Sequence, residues 1–258
     1  PIPHLPLQAP PEWVDYYVKK FGDEEPYTGD RGYFPHRYPH AAYAAMVSYL
    51  DNQVGLLVEQ LKELGIYENT IIIFSSDNGP SYTGGTDSPW FNSAGIFNEE
   101  NGYVKGYVYE GGIRVPMIVS WPGMFSPGSR TDHISAFWDV LPTLTEIAGI
   151  RAPGDIDGIS FLPTLRGENN QPEHDYLYWE FPAYRGQQAV RMGRWKAVRK
   201  DIFEGNMEIE LYDLENDPAE TTDVADTYPA VLNRIDSIMK AAHTPARLER
   251  FRGIGNVE

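Results

Sequence analysis

Cysteine is missing from all 258 residues. Disulfides, thiolate zinc sites and a cysteine nucleophile are therefore excluded within this chain, while the redox compartment stays open. Positive charge is scarce: 21 Lys and Arg stand against 37 Asp and Glu, a formal net charge of −16. Binding to nucleic acid draws on clustered Lys and Arg that displace counterions, so no nucleic-acid partner is expected. An anionic substrate needs a local positive pocket to overcome this field. No apolar run reaches the roughly 18 residues of a membrane helix, so no membrane span is expected. Walker, GxGxxG, HExxH, GxSxG and EF-hand motifs are lacking, as are N-x-Ser/Thr sequons. The chain opens with Pro1 and a proline-rich run to Pro10, and no signal-peptide pattern is read in these residues. The expectation is a piece of a longer polypeptide, with ordinary processing as the alternative.

What is present is globular in balance, 41% apolar and 22% charged. The most informative stretch is Thr70–Pro80. Ile71, Ile72, Ile73 and Phe74 form an unbroken apolar run that stops at Ser75-Ser76-Asp77-Asn78-Gly79-Pro80. Such a run predicts a buried strand, expected in a parallel sheet covered on both faces. Ligands of such sheets sit at the carboxyl ends of strands, where Asp77 and Asn78 fall. A carboxylate beside an amide offers hard oxygen donors suited to Ca²⁺ or Mg²⁺. The competing reading is a turn in which both side chains cap nearby backbone N–H groups.

Pattern and punctuation organise the rest. A short helix is expected over Pro11–Phe21. A Gly- and Pro-punctuated loop covers residues 22–39. His36 and His40 stand four apart, but Pro39 between them argues against a helical metal pair. A longer helix is expected from Ala41 to Leu64, with Met46, Val47, Leu50, Val54, Leu57 and Leu61 as its apolar stripe and Gly65 as its stop. Residues 81–104 read as a long loop, either functional or mobile, placed so that it could wall the Asp77 end. Val115–Trp121 reads as a second buried strand and Asp132–Phe137 as a short one. Asp139 is expected to cap a helix ending at Gly149. Trp90, Phe91, Tyr103, Trp179 and Tyr184 are candidates either for a carbohydrate or aryl site or for packing. Past a boundary near residues 165–175 the pattern changes to short strands at Tyr176–Phe181, Gln188–Arg191, Trp195–Arg199 and Glu210–Leu214. A closing helix over Tyr228–Ala242 would put Val231, Ile235, Ile238 and Met239 inward. The expected class is α/β: a mostly parallel central sheet with flanking helices, then a small C-terminal α+β unit of antiparallel strands on a helix. The expected division is 1–168 and 169–258.

Several ordered segments resemble the type I, formylglycine-dependent sulfatases of the alkaline phosphatase superfamily. They are Tyr43–Gly55 with Ile73–Pro80, Lys105-Gly106 with Tyr109–Pro116, Asp139–Leu144 with Ala148-Gly149, Asp157-Gly158, Arg191–Lys196 and Glu210–Pro218. The order and spread of these matches, more than any one of them, carry the resemblance.

The resemblance implies that Asp77 and Asn78 are ligands of a divalent cation, Ca²⁺ with Mg²⁺ as the variant. It implies that Lys105, ahead of Glu-Gly-Gly-x-Arg, contacts the sulfate. His4, in His4-Leu5-Pro6-Leu7-Gln8-Ala9-Pro10, matches the histidine that contacts the sulfate or leaving oxygen. Both are expected to be catalytic and substrate-binding. The family's nucleophile is a formylglycine made from Cys or Ser in Cys/Ser-x-Pro/Ala-x-Arg, and this chain holds no such motif. The implied picture is a sulfate ester hydrolase segment, inactive alone, with the nucleophile in an upstream half. Two alternatives stay open: a phosphoester or phosphonate hydrolase of the same superfamily, and a non-catalytic module on the same scaffold. Family habit points to a periplasmic, secreted or lysosomal setting.

Overall fold

A computed structural model of the chain describes residues 2–97 and 103–254. The polypeptide forms two compact units, each gathered from separated stretches. One comprises residues 1–66, 76–115 and 218–221; the other comprises 67–75, 116–217 and 222–258.

The first unit is helical. Helix α1 (Pro11–Phe21) and the long helix α2 (Pro39–Glu63) both open on proline, whose fixed φ suits the first helical position. Pro39 therefore starts α2 and leaves His36 outside it. The two helices meet through Trp13 edge-on to Tyr49 and a 2.6 Å hydrogen bond between the Tyr17 and Ser48 hydroxyls. Burial on α2 is concentrated in its first turns. Ala41, Ala42, Ala45 and Met46 are sealed, whereas Val47 and Leu57 of the expected stripe are 45% and 56% exposed. Small residues permit close approach there, so alanines rather than leucines make the tight contacts. Leu5 and Leu7 pack on Ala42 and Met46, which ties the first residues of the chain to this helix. Two single-turn helices, α3 (Ser88–Phe91) and α4 (Glu110–Ile113), complete this unit.

The second unit holds the strands. Strand β1 (Ile72–Ser75) pairs with β2 (Met117–Ser120) from Ile72 opposite Ser120 to Ser75 opposite Met117. The pairing is antiparallel, a correction to the parallel arrangement expected from the apolar run. Neither strand holds a buried residue, and Phe74 and Ile118 are 38% and 62% exposed, which also corrects the burial expected of both runs. β-branched residues favour a strand without fixing its burial or the direction of its neighbour. Residues 132–136 carry no strand, and Phe137–Asp139 form a 3₁₀ turn ahead of α5 (Val140–Ile147). A short helix α6 (Leu162–Leu165) follows.

Strands β3 (Leu177–Phe181), β4 (Gln187–Met192), β5 (Trp195–Lys200) and β6 (Glu210–Asp213) form an antiparallel sheet in that order. Helix α7 (Pro229–Ala242) packs on it. Val190, Ala197 and Leu211 from the sheet and Ile235 and Met239 from the helix are at most 1% exposed. Val231 and Ile238 flank them, as the three- and four-residue spacing predicts. The mixed α/β class and the C-terminal sheet on a helix match expectation.

Candidate functional site

The turn after β1 is built around Gly79. Its N–H donates to the carbonyl of Gly112 at 2.9 Å. A Cβ at residue 79 would fall inside the van der Waals envelope of the Gly111 carbonyl oxygen, so only glycine fits. One residue on, the Pro80 carbonyl accepts from the Lys105 N–H at 3.1 Å. Asp77-Asn78, Lys105 and the Glu110–Arg114 segment are thus tied together through backbone, at positions far apart in sequence.

The chain start joins the same unit by side-chain packing. Leu5 fills the space over Gly84, in the loop that follows Asn78. The Gln8 N–H points at the Met46 sulfur, 3.3 Å away. His4 is therefore carried on a segment anchored on both sides of Leu5. Its Nδ1 lies 2.8 Å from the Leu5 carbonyl oxygen. That contact puts a proton on Nδ1, since a carbonyl oxygen can only accept.

The four predicted side chains differ in how far the fold uses them. The Asp77 carboxylate is exposed and takes no hydrogen bond from any described residue. Asn78 is half-buried, and its amide Nδ2 donates to the Gly79 carbonyl at 2.9 Å, which leaves Oδ1 as the available donor atom. Lys105 is half-buried and forms no ion pair with any described residue. Arg114, by contrast, is committed: its Nη1 lies 3.3 Å from the Glu110 carboxylate, and its guanidinium sits over the Phe97 ring.

The donor set of Asp77 and Asn78 consists of hard oxygens and fits a Ca²⁺ or Mg²⁺ ion in kind. It falls short in number, since Ca²⁺ takes six to eight oxygens. No group of three or more metal-ligating side chains occurs among the described residues. His36 and His40 form no pair either. His36 Nδ1 accepts from the Tyr38 N–H, and His40 bridges Glu24 and Asp87 while stacking on Trp90. Trp90 and Phe91 belong to an aromatic cluster with His40, Phe21 and Tyr43, so packing accounts for much of their role.

Sequence reasoning passed over one residue beside His4. Tyr33 presents its ring to the imidazole in an edge-on contact. It lies in a stretch read only as a loop, and the Gly32-Tyr33-Phe34-Pro35 run carries no periodic signal.

A separate cavity of about 130 Å³ in the second unit is lined by His133, His174, Glu173 and Arg191 among others, and holds none of the four predicted residues. His174 Nε2 meets the buried Asp139 carboxylate at 2.8 Å. Asp139 also accepts from the N–H groups of Ala136 and Ile159. It closes the turn before α5 and makes no cap on α5 itself, correcting the N-cap expectation. Burial pushes the His133 imidazole below its usual range, against the pull of Asp139 and Glu173 and helped by the nearby His174.

The sulfatase family model matches residues 2–150, and the model described as N-sulphoglucosamine sulphohydrolase, C-terminal, matches residues 98–244. This chain belongs to the sulfatase family. Mouse (Mus musculus) steryl-sulfatase is 37% identical over 174 residues, 66% of this chain and 27% of that protein. Among solved structures, Ps i-CgsB superposes with a TM-score of 0.70 at 27% identity, covering 93% of this chain and 48% of the other. BT4656, solved in complex with its substrate D-glucosamine-2-N,6-O-disulfate, gives a TM-score of 0.63 at 25% identity over 80% of this chain and 40% of the other. The sulfatase chain described here spans about half or less of each of these relatives.

Proposed function

We propose that this chain supplies the cation-binding and sulfate-binding groups of a sulfuric ester hydrolase whose nucleophile lies outside these 258 residues. One observation carries the reading. The Asp77 carboxylate and the Lys105 ammonium belong to one backbone-tied region, yet neither is neutralised by a described residue. A fold that keeps opposite charges uncommitted on adjoining segments leaves both to a ligand.

Asp77 and Asn78 would hold a divalent cation, Ca²⁺ or Mg²⁺, which when bound supplies positive charge opposite the sulfuryl oxygens. The Lys105 ammonium adds a second positive group for those oxygens. His4, with its Nδ1–H held by the Leu5 carbonyl, would in its imidazolium form present Nε2–H to the leaving oxygen and pass it that proton. The nucleophile is assigned elsewhere because neither cysteine nor Ser-x-Pro/Ala-x-Arg occurs here. The substrate would be an aryl or carbohydrate sulfate, and the remaining half of the same protein is the required partner. A periplasmic, secreted or lysosomal setting follows from the family. The superfamily's two-zinc phosphoesterases need clustered His and Asp ligands, and the amide at residue 78 disfavours that alternative.

The test uses the full-length protein. Lys105→Ala is expected to lower kcat/KM on 4-nitrophenyl sulfate at least a hundredfold, in line with loss of a transition-state charge partner. Asp77→Asn is expected to abolish the stabilisation that Ca²⁺ gives in thermal unfolding. The isolated 258-residue chain is expected to show no turnover and only weak Ca²⁺ binding. Turnover by that chain, or full activity in Lys105→Ala, sinks the reading.

A further inference from the structure

The loop over residues 27–36 is closed by a reciprocal backbone pair, Tyr27 N–H to His36 O at 3.0 Å and His36 N–H to Tyr27 O at 2.9 Å. Within it the Tyr27 hydroxyl donates to the Gly32 carbonyl and accepts from the Arg31 N–H. The Tyr27 ring in turn packs on Gly85, one residue beyond the Gly84 that Leu5 covers. The loop is therefore braced from inside and fixed to the same segment that anchors His4.

Two aromatic residues sit on this brace and face solvent: Tyr33 is 48% exposed and Phe34 is 71% exposed. Tyr33 has φ of 66°, a left-handed conformation that a bulky side chain rarely adopts. Such conformations persist where the surroundings over-determine them, and they concentrate at ligand sites. The conformation sets the Tyr33 ring against His4, with centroids 6.2 Å apart and planes at 74°. No hydrogen bond to a described residue engages the Tyr33 hydroxyl. Exposed rings held this way do little for the core, but they suit a flat or C–H-faced ring that arrives from solvent.

We propose that Tyr33 is a specificity-determining residue: it receives the six-membered ring, sugar or arene, that bears the scissile sulfate and becomes the leaving group. This rests on His4 acting at the leaving oxygen. A ring bonded to that oxygen must lie within about one ring's width of the imidazole, which is where Tyr33 stands. Acyclic sulfate esters gain nothing from that surface.

The experiment compares wild type, Tyr33→Ala and Tyr33→Phe in the full-length protein. Three esters are used: D-glucosamine 6-sulfate, 4-nitrophenyl sulfate and ethyl sulfate. The ratio of kcat/KM for each ring ester to that for ethyl sulfate is expected to fall roughly two- to tenfold in Tyr33→Ala, the scale of one aromatic contact. Tyr33→Phe is expected to keep the ratio. Saturation-transfer NMR should show ring-proton contacts of D-glucosamine 6-sulfate that weaken in Tyr33→Ala. A drop for both ring esters supports a general ring platform, and a drop for one alone assigns the platform to sugar or to arene. An unchanged ratio with turnover intact overturns this proposal and leaves the role of His4 standing. A wild-type protein that cleaves none of the three esters removes the reading of His4, and this proposal with it.

Discussion

The Arg194 guanidinium forks onto the Asp213 carboxylate, with Nε 2.6 Å from Oδ1 and Nη2 on Oδ2. Arg194 sits in the turn between β4 and β5, and Asp213 ends β6, so one ion pair closes three strands of the sheet. Arg194 also reaches Glu215 at 2.7 Å, and Asn216 donates to Asp213. Bidentate pairing of this kind is stronger than an ordinary surface contact.

The Arg194 hydrogen bond holds the Asp213 carboxyl below its ordinary value of 3.8, against the opposing push of desolvation. A carboxyl with a depressed folded value binds its proton first in the unfolded chain. Its contribution to stability is full above about pH 4 and is lost as pH falls through the folded value. Urea midpoints measured from pH 7 to pH 3 are expected to drop less steeply in Asp213→Asn than in wild type. Asp236 behaves in the same sense: burial pushes it up, but the bonds from Lys240 and Arg199 outweigh that and leave it low. The Asp213 variant should therefore keep part of the acid sensitivity.

His133 gives a second pH window. Its folded value lies below the usual 6.5, so the unfolded chain takes up the proton first as pH falls. The stability it contributes is complete above about pH 6.5 and erodes on acidification through the folded value. In His133→Gln the loss of stability between pH 7 and pH 5 is expected to be smaller than in wild type, read by urea unfolding. An identical loss would show that the cavity beside His174 and Asp139 does not control this range.

Ile235 is completely buried between α7 and the sheet. Ile235→Ala is expected to cost about 2–5 kcal/mol, through lost transfer energy and a cavity that α7 cannot collapse. Urea denaturation should show a lower midpoint with an unchanged slope. A cost below about 1 kcal/mol would mean that the helix does not rely on this contact.

Gly79 offers the sharpest backbone test. An alanine there must displace the Gly111 carbonyl and disturb the 2.9 Å bond to Gly112. Gly79→Ala is expected to lower the unfolding midpoint and, in the full-length protein, to weaken Ca²⁺-dependent stabilisation with Asp77 and Asn78 both intact. A variant as stable and as responsive as wild type would separate this turn from the cation.

Helix α7 was readable because Val231, Ile235, Ile238 and Met239 recur at intervals that only a helix places on one face. The β4–β5 hairpin was readable because Gly193 marks its turn between two β-rich runs; there the glycine takes a φ of 56°. Direction was not readable for β1, since pairing depends on where β2 lies, and no local residue encodes that. Asp132–Phe137 looked strand-like, but Ile134 and Phe137 are 40% and 54% exposed and lack the ladder partner that a strand requires. Asp77, Asn78, Lys105 and His4 stood out through motif order. The bracing that sets Tyr33 against His4 depends on Tyr27 meeting His36 and Gly85, contacts that no single segment announces.

The path of the chain has its own consequence. Residues 67–75 leave the first unit, 76–115 return to it, and 218–221 come back once more, with Glu220 accepting from the Glu110 N–H at 2.6 Å. Neither unit corresponds to a continuous stretch of gene. No single proteolytic nick or truncation can release one of them whole, and a ribosome cannot finish the first before it has made about three-quarters of the second. Truncated pieces should therefore fail to fold one at a time, and separately expressed pieces should recover structure only when mixed.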